Sequence, residues 1–190
     1  MLWNMIYWER WWMNLANKLT IARIFLVPVF MIVLLNKINY GMYIAAAIFT
    51  VAAITDTLDG YIARSRNQIT KLGKFMDPLA DKLLVTAALV SLVQMGKLSA
   101  WIVVVIISRE YTISILRAVA ASEGIVIAAS WWGKLKTLAQ VIAIISILIN
   151  NFPFNLINIP FSTIALWLAV ALTIISGVDY LYLNRHILKQ

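Results

Sequence analysis

Four aspartates offer the clearest chemistry in this 190-residue chain. Asp56 and Asp59 stand three residues apart and Asp77 and Asp81 four apart, and together they are half of the eight acidic residues. On a helix either spacing sets both side chains on one face. If the two pairs face each other, four carboxylates crowd one place, so either most are protonated or cations neutralise them. Carboxylate oxygens select hard cations, and the chain has no cysteine and one histidine, His186, near its C-terminus. Two divalent ions would balance four charges, and ions about 4 Å apart suit phosphoryl displacement. Mg²⁺ fits such a site best, with Mn²⁺ as the other candidate. Gly60 and Ala63 are small enough for a helix or a nucleotide to approach closely. Arg64 follows one turn on, suited to a phosphate oxygen. Gly73 gives freedom to turn, and Pro78 fits a first helical turn or a kink. A single intramembrane aspartate can be a packing contact or a proton relay. Four within 26 residues, with small residues and an arginine at fixed offsets, mark a functional site.

The elements that must hold these acids belong to a membrane. The chain is 63% hydrophobic and 13% charged, too apolar for a soluble domain of this length. A span needs about 20 mostly apolar residues. Six such stretches occur, at about 18–36, 40–63, 75–95, 98–118, 134–150 and 160–183. Their runs lack the alternation of a barrel strand, so the expected fold class is an all-α integral membrane protein with six transmembrane helices. Residues 18–190 form one catalytic domain, with no internal repeat. The first aspartate pair ends span two and the second begins span three, joined by the basic stretch Arg64–Lys71, which makes those spans antiparallel neighbours. Of the 16 lysines and arginines only Lys37 and Lys97 fall on the side opposite the termini, leaving 14 at the termini, in the 2–3 and 4–5 connections or on adjacent helix ends, with Arg109 deeper. That asymmetry predicts cytoplasmic termini. It also accounts for the net charge of +8 through anionic lipid headgroups, without nucleic acid.

Residues 1–17 form a separate N-terminal segment. Met1, Met5, Trp8, Trp12 and Leu15 recur at helical spacing, as in an interfacial helix lying along the headgroups. Translation from an upstream start, or residues appended ahead of Met13, explains 1–12 equally well. A cleavable signal peptide is not expected, since no basic region and small-residue site frame an apolar core.

The pattern Asp56-x2-Asp59-Gly60-x2-Ala63-Arg64-x8-Gly73-x3-Asp77-x3-Asp81 resembles the full signature of the CDP-alcohol phosphatidyltransferase family. The segments "NLANKLTIARIFLVPVF", "GKFMDPLADKLLV", "IISREYTISILR", "GKLKTLAQ" and "ISGVDYL" are similar to the branch that makes phosphatidylglycerophosphate, over Met13 to about Arg185. The resemblance implies the CDP-alcohol phosphotransferase fold, a homodimer, and a divalent-metal site open to the cytoplasm of a bacterial plasma membrane. The implied reaction joins CDP-diacylglycerol to sn-glycerol 3-phosphate and releases CMP. Asp56, Asp59, Asp77 and Asp81 match the metal ligands, and Asp81 also matches the general base. Gly60, Arg64 and Thr70 match positions that hold the CDP-diacylglycerol. Thr57 departs from the bulky residue expected there, outside the signature.

A second, basic constellation lies downstream. Arg109 stands midway along span four, Arg117 two turns later, and Lys134 and Lys136 begin span five. A charge as deep as Arg109 should face a polar cavity, as a dianionic acceptor such as glycerol 3-phosphate requires. These four are the candidate acceptor-phosphate ligands. Against that, Arg109 could pair with Glu110 or a site aspartate, and the other three could snorkel to the headgroups. Arg23 and Lys82 are ambiguous in the same way. The alternatives to this enzyme are a sister transferase using inositol phosphate, serine or phosphatidylglycerol, and a cation transporter. The latter would need polar groups across the whole bilayer, and the extracytoplasmic halves are apolar.

Overall fold

The computed structural model describes residues 15–36, 38–65, 71–125, 127 and 130–185, with backbone alone for 15–17, 56–65, 71–75, 77 and 78. They form six α-helices: α1 (Leu15–Leu35), α2 (Gly41–Ser65), α3 (Lys71–Gln94), α4 (Ala100–Ser122), α5 (Trp131–Leu148) and α6 (Phe161–Leu183). A 3-10 turn, Phe154–Ile157, precedes α6, and the described residues contain no strand. Most of the N-terminal segment, residues 1–14, lies outside the described residues, as do Thr70 and His186.

The helices run from 18 to 25 residues. At about 1.5 Å per residue each is comparable to a hydrocarbon core of about 30 Å. Lys18–Leu35 of α1, α5 and α6 are apolar enough to cross a membrane on composition alone, which makes this a multi-pass membrane fold. Gly41–Thr55 of α2 is apolar, and Asp56 follows it in sequence. The charges of α3 (Lys71, Lys74, Asp77, Asp81, Lys82) and α4 (Arg109, Glu110, Arg117) lower the hydropathy of those two helices.

The chain divides into two compact units, residues 1–91 and 92–190. In the first, α1 packs on α2 through Phe30 and Phe49, whose rings lie 6.0 Å apart, beside buried Ala45, Ala46 and Ala52. Small side chains let helix backbones approach where lipid supplies no hydrophobic drive for association. The turn into α2 is tight: a Cβ on Gly41 would meet the Val33 carbonyl oxygen at 2.9 Å. Thr20 and Arg23, one turn apart on α1, are buried in this unit.

The second unit is organised around α6. Ala139 and Ala143 of α5 cluster with Ala165 and Ala169 of α6. A buried hydrogen bond, Gln140 Nε2 donating to Thr173 Oγ1 at 3.1 Å, joins the same pair. The Thr173 hydroxyl in turn donates to the Ala169 carbonyl at 2.6 Å, so neither polar group is left unsatisfied. Asn151 stitches the turn before α6, donating to the Ile159 carbonyl at 2.7 Å and accepting from the Ser162 amide at 2.9 Å. Lys97 donates to Asn150 Oδ1 at 2.8 Å, so the connection entering α4 and the one leaving α5 share an end of the unit. Helices four and six therefore run parallel, with α5 antiparallel between them in sequence.

Candidate functional site

The signature positions fall on two helices of the first unit. Asp56, Asp59, Gly60 and Arg64 occupy the last turns of α2, and Asp77 and Asp81 the second and third turns of α3. Both aspartate pairs lie on continuous helix one turn apart, as their spacing requires. The 66–70 connection that would bring α2 and α3 together lies outside the described residues. Asp81 is half-buried, and Asp81 and Lys82 each take part in a polar or electrostatic contact. Four carboxylates with no thiolate or imidazole among them are a donor set for a hard divalent cation.

The basic constellation falls in the second unit, and the structure separates its members. Lys136 is buried and its ammonium is ion-paired with the Glu110 carboxylate. Arg109 Nη1 lies 3.8 Å from the same Glu110 oxygen. Arg117 and Lys134 are exposed. Glu110 thus holds the two deeper cations together from α4, and leaves the two outer ones to solvent or headgroups. Ser130 starts α5, its hydroxyl accepting from the Gly133 amide at 3.1 Å. That N-cap begins the helix early enough to bring Lys134 and Lys136 onto its first two turns.

Two glycines make the room that Arg109 occupies. A Cβ on Gly177 of α6 would lie 3.1 Å from Arg109 Cγ, and one on Gly133 of α5 would lie 4.0 Å from its Nη2. The arginine therefore crosses α6 at Gly177 and reaches the start of α5. Beside its stem a cavity of about 240 Å³ opens between α4 and α6, where Ser108, Thr112 and Thr173 supply the other polar groups. One turn beyond Gly177, Tyr180 packs against Ile113, Leu116 and Ala120 of α4. Arg109 stands one turn before Ile113 on α4 and Arg117 directly after Leu116. Sequence reading gave Glu110 only as one possible partner for Arg109, and missed Gly133, Gly177 and Tyr180. The available signal was Gly177, a glycine inside the otherwise apolar sixth span, which marks a close approach; Gly133 lies just ahead of span five and carries no such signal.

A family model described as CDP-alcohol phosphatidyltransferase matches residues 13–175. The chain is 48% identical over 188 residues to a Bacillus subtilis protein named CDP-diacylglycerol–glycerol-3-phosphate 3-phosphatidyltransferase, covering 93% of this chain and 97% of that one. A Haemophilus influenzae protein of the same name is 42% identical over 179 residues, covering 90% and 94%. One from Rickettsia typhi is 39% identical over 170 residues, covering 88% and 94%.

Proposed function

The chain belongs to the CDP-alcohol phosphatidyltransferase family, and from that membership we propose that it transfers the phosphatidyl group of CDP-diacylglycerol to sn-glycerol 3-phosphate, releasing CMP. The observation that carries the acceptor is the relatives' shared name at 39–48% identity over nearly their whole length. The basic centre around Arg109 supports it independently, because charge-assisted contacts from arginine and lysine favour a phosphorylated acceptor over serine or a neutral polyol.

In this reading Asp56, Asp59, Asp77 and Asp81 hold Mg²⁺, as two ions, with Mn²⁺ able to substitute. When bound, the metal draws charge from the pyrophosphate and stabilises the departing phosphate. Gly60, Arg64 and Thr70 hold the CDP moiety of the lipid. Arg109, Arg117, Lys134 and Lys136 receive the phosphate of the acceptor and orient its free primary hydroxyl. Asp81 takes the proton from that hydroxyl as its oxygen attacks the phosphorus bearing the diacylglycerol. The bond from that phosphorus to the CMP oxygen breaks, and the electron pair leaves with CMP. Cysteine is absent and the one histidine lies at the C-terminal tail, so direct in-line attack needs no covalent intermediate on the chain.

Six spans with cytoplasmic termini, a cytoplasmic-facing site in a bacterial plasma membrane and a homodimeric assembly complete the reading. The charge asymmetry of the connections supports the orientation. Purified protein in detergent, given CDP-diacylglycerol, glycerol 3-phosphate and Mg²⁺, should release CMP and form phosphatidylglycerophosphate in equal amounts. CMP release that ignores the acceptor, or a product of different mass, would refute the assignment.

A further inference from the structure

Among the described residues, the second unit holds two buried groups that can donate hydrogen bonds and have no partner. They are Arg109 Nε and the Tyr180 hydroxyl. Tyr180 is only 3% exposed, and a buried polar group without a partner costs stability. Arg109 precedes by one turn the Ile113 on which the ring packs, and Arg117 directly follows Leu116, so the phenol lies along the stretch of α4 that carries both arginines. Glu110 Oε1 is likewise buried without a hydrogen-bond partner, although it is ion-paired with Lys136 and lies 3.8 Å from Arg109 Nη1. Two orphaned donors beside two arginines on adjoining turns suit an acceptor-rich, negatively charged group.

We propose that the Tyr180 hydroxyl is a further binding group for the acceptor phosphate, donating to a phosphate oxygen alongside Arg109 Nε. The proposal deepens the reading above and rests on it for the identity of the ligand. The anion site itself needs only the observations in this unit. As the chain stands both donor atoms are shut from water, so the anion must part the side chains over them. Arg117, exposed on the same helix, has room to move. A phosphate seated there would accept from these donors, and the two arginines would offset its charge. A phenol is well suited to this place, since its ring keeps the α4–α6 packing while its tip reads the ligand.

The test is Tyr180→Phe in the full chain, which retains the ring in the Ile113–Leu116–Ala120 cluster. Three readouts are compared with wild type. Without ligand, the thermal midpoint should stay level or rise, since an unpartnered hydroxyl has been removed. With saturating inorganic phosphate or glycerol 3-phosphate, wild type should gain thermal stability and the variant should lose most of that gain. In turnover, KM for glycerol 3-phosphate should rise by about tenfold or more, the scale of a lost hydrogen bond to a charged group, with KM for CDP-diacylglycerol within about twofold. A lower unliganded midpoint with unchanged phosphate protection would make Tyr180 a packing residue and overturn the proposal. So would wild-type protein that gains nothing from either anion. If phosphate protects wild type and not the variant, yet glycerol 3-phosphate is not a substrate, the functional reading fails while the anion site stands.

Discussion

Glu110 on α4 is ion-paired with Lys136 on α5, although Lys136 keeps only 4% of its side-chain surface exposed. One carboxylate thereby sets the position of a buried cation that the acceptor reading needs at the site. Removing one partner of such a pair leaves an uncompensated buried charge, typically a loss of about 3–5 kcal/mol. Glu110→Gln should lower the thermal midpoint and raise KM for glycerol 3-phosphate. Adding Lys136→Met should recover most of the stability and none of the acceptor use. A double variant whose stability losses simply add would show that the two side chains do not interact.

Gly177→Ala separates packing from binding at Arg109. The new methyl would sit 3.1 Å from Arg109 Cγ, near the root of the side chain, so the arginine must shift by a few tenths of an ångström. Alanine gains about 1 kcal/mol of helix propensity over glycine, and overpacking costs about 1–3 kcal/mol, so the net change in stability should be small. The effect should appear in the acceptor: KM for glycerol 3-phosphate several-fold higher, with CDP-diacylglycerol unaffected. Steady-state kinetics with each substrate varied in turn would show whether the two KM values separate.

The acidic pattern predicts dependence on a divalent cation. Asp56→Asn or Asp77→Asn should abolish turnover while the detergent-solubilised chain elutes as a folded species. Excess chelator should silence the wild type, and Mg²⁺ or Mn²⁺ should restore it. Full activity in chelator would remove the metal from the account.

Asp81→Asn addresses the base. A positioned general base contributes about 10²–10⁴-fold, so kcat should fall by that order while CDP-diacylglycerol still binds. Loss of lipid-nucleotide binding in step with kcat would make Asp81 chiefly a metal ligand.

The helices were legible because apolar runs of span length have few other folds open to them. Their polar ends were not. The structure starts α3 at Lys71 and α5 at Trp131, several residues ahead of the apolar stretches beginning at about 75 and 134. Hydropathy marks where lipid begins, whereas Ser130 and the basic turn after it mark where hydrogen bonding begins. The aspartate pattern could be read because its spacing is local, and the structure sets both pairs on continuous helix. Lys136, Arg109 and Tyr180 were harder, because their surroundings come from α4, α5 and α6 at once. No spacing within one helix records that Glu110 meets Lys136, or that Gly177 yields its space to Arg109.

The central claim is that this chain joins a phosphatidyl group to a phosphorylated acceptor read by Arg109. The most direct measurement is initial rate against CDP-diacylglycerol with glycerol 3-phosphate, glycerol, serine, inositol phosphate and phosphatidylglycerol as competing acceptors, for wild type and Arg109→Lys. The account predicts kcat/KM for glycerol 3-phosphate far above every other acceptor. It also predicts that Arg109→Lys, which keeps the charge but loses the planar fork, impairs glycerol 3-phosphate use and spares CDP-diacylglycerol binding. Equal use of glycerol and glycerol 3-phosphate, or an Arg109 variant defective only toward the nucleotide lipid, would contradict it.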